Sequence, residues 1–347
     1  MRRLALVALA GLLAAVVFVA AAFAIYPRPL LQRVLAAVLG RDITIQAAEV
    51  VLGSAIVVTL SKVKVPNAAW ADAADLLSIA SLTVALDLKP LLRGEVRLRR
   101  VAVDGLRLLL ERDPAGRGNW KLPGTASAAA PATTRPWLPT ILALAVRDSG
   151  LELRTGSGAL LHVFARSLTL QTDVRDRPVS LVADIVYNDA PVVLSARIES
   201  FDAYANRTRR LGFSLAATTT AGRLELDAGA DAPLDFDALA DGLRADIPDI
   251  GKFAALFGSD LGLQIPLALA GGFSRNGDAW RLTAAHGTLA GSPLTADLAL
   301  DEGARLQPDA VRTTLELADL DLDLVLGRMG KAANTRGGTS ITVAISV

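Results

Sequence analysis

From Leu4 to Ile25 the chain reads LALVALAGLLAAVVFVAAAFAI, with no charged side chain, directly after Met1-Arg2-Arg3. A helix over this run would be roughly 33 Å long, enough to cross the hydrocarbon core of a bilayer. Ala22-Phe23-Ala24 has the small-x-small form of a leader cleavage site, but the apolar part of a leader runs only about 7–15 residues, so the length favours a retained anchor. Arg2, Arg3 and the terminal amine outweigh Arg28, Arg33 and Arg41 as the near-terminal positive cluster, which predicts residues from about 27 onward outside the cytoplasm. PLLQRVLAAVL, Pro29 to Leu39, then reads as a short helix stopped by Gly40.

From Asp42 the apolar period changes to two. In SLTVALDL, Leu82, Val84, Leu86 and Leu88 point one way and Ser81, Thr83, Ala85 and Asp87 the other. Val96 and Leu98 continue the habit. At Arg99-Arg100 it shifts, so that Val101 and Val103 carry the apolar side, as a bulge would produce. Leu106, Leu108 and Leu110 form a further stripe, which runs into ERDPAGRGNW, a polar turn that closes on Asn119-Trp120.

GTASAAAPATTRPWLP, Gly124 to Pro139, is an Ala/Thr/Pro-rich linker. Short two-faced strands resume beyond it, interrupted by PLDFDALADGLRADIPDIGKFAALFGSDL, Pro233 to Leu261, which reads as a helical insertion split into a pair by Pro248, with Asp235 or Asp237 capping the first piece. The expected organisation is an anchor over 1–26, a β-region with a leading helix over 27–122, a linker over 123–139, a second β-region over 140–326 and an unassigned tail over 327–347. The fold class is mainly β. Strands of this kind build a closed sandwich, a barrel or an open sheet, and periodicity does not choose among them.

Composition narrows the function. The chain has 347 residues, 52% hydrophobic and 20% charged, with a net charge of +1 and no cysteine. A nucleic-acid partner has no electrostatic basis, and disulfides and thiolate chemistry are excluded. The two histidines, His162 and His286, sit in strand patterns without metal-ligand spacing. Asp319, Asp321 and Asp323 alternate with leucines as a solvated strand face would. Arg207-Thr208-Arg209-Arg210 reads as a basic turn, solvated or near anionic headgroups, and Asn206-Arg207-Thr208 is a glycosylation sequon. No nucleophile elbow or phosphate loop occurs. No catalytic, cofactor or metal residue is assigned.

Ser81 to Trp120 resembles the N-terminal signature of the AsmA family: an alternating strand, Pro90-Leu91-Leu92-Arg93-Gly94, two strands with Asp104-Gly105, Glu111-Arg112, and Gly118-Asn119-Trp120. The anchor, the short helix, RDITI and the Gly-rich PLALAGGF…GTLAGSPLTADLALD (Pro266 to Asp301) fit the same family, so the resemblance covers roughly 1–326. It implies an N-terminal transmembrane helix in the inner membrane, a periplasmic, elongated and curved antiparallel β-sheet forming a groove, and a non-catalytic part in lipid transport and outer-membrane assembly. Trp120 is then expected to pack over a sheet end. On that resemblance, Leu82, Val84, Leu86, Leu106, Leu108 and Leu110 are candidates for a lipid-binding inner face, with phospholipid or another acyl-chain lipid and the inner membrane as partners. They would equally serve as the core of a closed sandwich. The alternative role is a scaffold that assembles outer-membrane proteins through strand addition. An anchored enzyme with a diffuse site is a third class.

Overall fold

The computed structural model describes residues 28–29, 32–33, 41–71, 73–111, 118–119, 138–154, 160–233, 237–259, 261–301, 310–317 and 340–346. The expected span Leu4–Ile25, most of the short helix, Trp120, most of the linker, Asp235 and Asp319–Asp323 lie outside them. Among the described residues no helix is long and apolar enough to cross a membrane. The structure is mainly β, in two compact units: residues 1–127 with 139–151, and residues 128–138 with 152–347.

In the first unit β1 (Thr44–Leu52), β2 (Ala55–Pro66), β3 (Asp75–Asp87) and β4 (Arg97–Asp104) pair antiparallel in succession. A one-turn helix α1 (Leu88–Leu91) joins β3 to β4, and β5 (Arg107–Glu111) continues in the direction of β4 along the earlier part of β3. The short β6 (Thr140–Ile141) and β7 (Ala143–Arg154) then lie parallel to β4. The sheet is therefore mixed rather than purely antiparallel; the long stretch after Glu111 supplies the crossover that parallel pairing requires. The apolar shift expected at Arg99-Arg100 is present: Ala85 pairs with Arg100 and Leu86 with Leu98, leaving Arg99 as the extra residue.

A second irregularity runs across the unit. Leu60 and Val63, three apart on β2, are both buried in one cluster; Leu82 and Ile79 pack against that cluster from β3. In an unbroken strand such pairs would face opposite sides. The alternation reverses at one register level, where Lys62 stands between Gln46 and Ala80 and Ala80 stands opposite Gly105. Lys62 (φ 48), Gly105 (φ 64) and Asp148 (φ 48) occupy the left-handed region there. Each strand holds one additional residue at that level, so the pairing stays in phase while the apolar face continues. Gly105 has a steric reason as well, since a Cβ on it would lie 2.8 Å from the Ala80 Cβ.

The second unit is an antiparallel meander: β8 (Leu160–Gln171), β9 (Val179–Tyr187), β10 (Ala190–Ile198), β11 (Leu211–Thr219), β12 (Gly222–Ala232), β13 (Asp237–Ile247), β14 (Leu267–Asn276), β15 (Ala279–Leu289), β16 (Ser292–Asp301) and β17 (Ala310–Leu317), each paired with the next. Parallel to β17 lies β18 (Ser340–Ser346), inside the stretch that had no assignment. Helix α2 (Phe201–Ala205) is capped by Ser200, whose hydroxyl accepts from the Ala203 amide.

The helical insertion expected over 233–261 is smaller than the sequence suggests. Residues 237–247 form β13, and among the described residues of this stretch only α3 (Ile250–Ala255) is helical. Leu239, Leu243 and Ile247 recur every four residues, which one turn of helix and two steps of strand both satisfy; pairing with β12 and β14 on either side decides for strand. Asp249 caps α3, its carboxylate accepting from the Lys252 amide at 3.1 Å, whereas Asp237, expected to cap a first helical piece, opens β13 instead.

Gly105→Ala is expected to cost about 2–3 kcal/mol, from the left-handed φ plus the Ala80 contact. Gly94→Ala, at φ +81 with open space around it, should cost only about 1 kcal/mol. Urea unfolding of the full chain in detergent, followed by circular dichroism, measures the difference; equal losses would show that Ala80 does not constrain the crease.

Candidate functional site

Register converts the alternation of single strands into apolar rows that cross whole sheets. In the first unit one row is Val50–Val58–Val84–Val101–Leu144, the next Ala48–Leu60–Leu82–Val103–Val146, and a third Leu52–Ile56–Leu86–Leu98–Ile141. In the second unit a row runs Leu168–Ala183–Leu194–Ala217–Leu224 and continues Ala245–Leu269–Gly287–Leu294–Leu317, through ten strands without a polar side chain. At about 4.8 Å per strand it extends roughly 43 Å along the sheet.

Large and small residues alternate for most of this row. The small ones allow close approach: a Cβ on Gly287 would collide with the Ala268 carbonyl oxygen. An extra residue in β15, around Ala284 (φ 48), keeps Leu282 and Ala285 in one buried cluster. The Ala284 amide, displaced from the ladder, donates to the Asp297 carboxylate at 2.8 Å. At the register position between Ala228 and Phe273 stands an exposed carboxylate, Asp241. Toward that end Trp280 stacks under Arg275 at 4.5 Å and meets Phe273 at 5.9 Å.

The burial of these rows distinguishes between architectures. A sandwich core would bury them on both sides. Eight of the ten residues in the long row, all but Ala183 and Leu294, remain half-buried. Each apolar cluster draws on strands adjacent in one sheet, with α2 and Leu138 added in one case, and among the described residues no second sheet contributes to any of them.

All six candidates for the inner face are half-buried. Leu82, Leu108 and Leu110 pack against the cluster formed by Ile43, Ile45, Leu60, Val63, Val65 and Leu76. Val84 and Leu86 continue the rows beyond it, and Leu106 stands opposite Ile79 by register. The crease at Ala80 and Gly105 is what brings the β3 and β5 stripes to one face.

The opposite face is ion-paired. Arg166 meets Asp184 at 3.1 Å, Arg223 meets Glu225 at 2.6 Å, and Asp301 is held by Arg281 and Arg312. The hydrogen bond from Arg281 and the charge of both guanidinium groups hold the Asp301 carboxyl below its ordinary range. The basic turn is partly neutralised, with Arg209 on Glu199 and Arg210 on Asp231. His286 and His162 are both exposed; His162 lies 3.9 Å from Glu152. A shallow concavity of about 450 Å³ on β12–β15 is lined by Arg223, Arg244, Asp246 and His286 among others. No cluster of potential metal ligands occurs among the described residues.

Two polar knots escaped the sequence reading. Asn119, 1% exposed, accepts from the Glu111 amide at 3.0 Å and donates to Leu109 O at 2.8 Å and to Asn67 at 3.0 Å. Asn67 in turn donates to the Glu111 carboxylate at 2.9 Å, and Arg41 donates to Asn119 O at 2.6 Å and to Pro66 O at 3.0 Å. This explains the asparagine of ERDPAGRGNW: it closes the turn after β5 and ties it to the segment that enters the unit at Arg41. The second knot is Asp87, 4% exposed, which accepts from Arg97 and Arg99 and fixes the chain around α1.

Residues 1–140 match the AsmA family, which bears out the resemblance read from Ser81 to Trp120 over that part of the chain. No match is found among curated proteins or among solved structures.

Asn119→Ala leaves the Glu111 amide and Leu109 carbonyl without their partner and should destabilise the chain by about 3 kcal/mol. Thermal unfolding of the full chain in detergent measures it, and a shift no larger than that of an exposed control such as Asn206→Ala would contradict the staple. The Asp249 carboxyl is held below its ordinary value of 3.8, first by the Lys252 amide. Its capping contribution is therefore complete above that value and disappears as pH falls through the lower folded value. Asp249→Asn should remove this pH dependence of α3 amide exchange while retaining most of the cap.

Proposed function

We propose that this is a membrane-anchored, non-catalytic envelope protein of AsmA type, with its β-units in the periplasm, whose apolar sheet faces shelter the acyl chains of phospholipid in transit. The observation that carries the reading is the ten-strand row from Leu168 to Leu317, apolar throughout and mostly half-buried. Exposing lipid tails to water costs about 0.8 kcal/mol per CH₂, on the order of 20 kcal/mol for two tails. A carrier offsets this with continuous apolar surface and needs no reacting group. Each leaflet's tails occupy about half of the 30 Å hydrocarbon core, so a row of roughly 43 Å exceeds one tail length severalfold. The family match over residues 1–140 supports an envelope and lipid association.

The alternative role, a scaffold for outer-membrane proteins, has one observation in its favour. Among the described residues β1 pairs on one side only, with β2, which leaves an edge able to accept a further strand.

Photo-crosslinking in cells separates the two. Probes at Val84, Leu108 and Leu194 should recover phospholipid, and a probe at Ser195, the next residue on the other face, should not. Recovery of protein alone at all four positions would overturn the lipid reading in favour of the scaffold.

A further inference from the structure

Leu92 is 80% exposed, more than any other large hydrophobic among the described residues. A frayed loop would make that unremarkable, but this loop is fixed. The Leu92 amide donates to Leu88 O, the Arg93 and Glu95 amides to Pro90 O, and the Gly94 amide to Leu91 O, all at 2.9–3.1 Å. Pro90 is buried beneath, and the chain on both sides is held by the Asp87 carboxylate between Arg97 and Arg99. A leucine held outward on a braced turn resembles a deliberate tip more than a scattered surface residue.

Its surroundings are cationic. From Asp87 to Arg100 stand Lys89, Arg93, Arg97, Arg99 and Arg100 against only Asp87 and Glu95, in a chain whose net charge is +1. Lys89, Arg93 and Arg100 are exposed and form no ion pair among the described residues. The turn between β1 and β2 lies at the same end of the sheet, since Ala55 pairs with Asp87 and Ile56 with both Leu52 and Leu86. It contributes two further exposed apolar residues, Val51 at 52% and Leu52 at 55%.

We propose that the α1 turn, with the β1–β2 turn at the same sheet end, is a membrane-surface contact in which Leu92 enters the acyl boundary of an anionic bilayer and Lys89, Arg93 and Arg100 meet its phosphates. An apolar tip ringed by unpaired cations fits a surface of that chemistry, which demands charge and a little apolar depth rather than a shaped pocket. On the proposed reading the apolar run of Leu4–Ile25 anchors the chain a short way before β1, which begins at Thr44, so such a surface is present at high local concentration. This contact is separate from the acyl-sheltering rows: it concerns how the first unit meets a bilayer, and it uses none of their residues except Leu52.

The absence of cysteine allows a direct test. The full chain carrying Leu92→Cys, labelled with an environment-sensitive fluorophore, is reconstituted into liposomes of phosphatidylcholine alone or of phosphatidylcholine with phosphatidylglycerol. The expected result is quenching by bromine-bearing acyl chains when phosphatidylglycerol is present, lost at high salt. Lys89→Glu with Arg93→Glu should lower the inserted fraction by roughly fivefold for each cation removed. A label at Val193→Cys, 53% exposed on the second unit, should stay aqueous throughout. A label at position 92 that stays aqueous in both liposomes overturns the proposal, as does quenching that ignores phosphatidylglycerol or the charge reversals, or protection that appears only when a soluble protein is added. Every labelled residue is exposed, so misfolding does not confuse the outcome, and crosslinks at Val84, Leu108 and Leu194 report on the acyl-sheltering rows independently.

Discussion

The structure depends on cross-strand register. A β-strand sends alternate residues to opposite faces, so a slip of one residue would turn an apolar face into a polar one. This chain has many strands and few aromatics to absorb an error. It keeps its apolar residues on one face by placing its irregularities in line. In the first unit Lys62, Gly105 and Asp148 take left-handed conformations at one level of the sheet, and every strand reverses there together. In the second unit β15 absorbs an extra residue at Ala284, satisfied by Asp297, and its neighbours remain in phase. The glycines near these points follow from the same demand for close backbone approach.

That arrangement leaves apolar surface unmatched. Side chains at half burial retain part of the free energy that full burial would release. In an ordinary sandwich a facing sheet would collect it. Here the clusters among the described residues are formed by neighbours within a sheet, and on the proposed reading the remaining rows serve a ligand whose tails have the same need to leave water. The polar face pairs charges both within one strand and between adjacent strands. At the turn around Leu92, the exposed Lys89, Arg93 and Arg100 form no ion pair among the described residues, and charge and apolar exposure coincide.

Much of this was legible in the sequence, and the failures have physical causes. The strands of the first unit and the bulge at Arg99 follow from period-two patterning, whereas the common face of the β3 and β5 stripes depends on the crease that breaks it. The strand over 237–247 did not, because a four-residue recurrence of Leu239, Leu243 and Ile247 fits helix and strand alike, and flanking strands settle it only in three dimensions. The parallel placement of β7 beside β4 depends on a crossover that local pattern cannot encode. Asn119 looked like a turn residue because its partners, Asn67 and Arg41, are 52 and 78 residues away. The long row is invisible in any single strand; it exists only once ten registers are combined.

The central claim is that the row through Leu194 faces outward to acyl chains instead of inward to protein, and adjacent residues on opposite faces test it most directly. Spin labels at Leu194→Cys and Ser195→Cys in the otherwise cysteine-free full chain report accessibility to a water-soluble relaxation agent. The account predicts that phospholipid shields position 194 and leaves 195 unchanged. A label at 194 that is already inaccessible without lipid, or one that lipid does not affect, would contradict it.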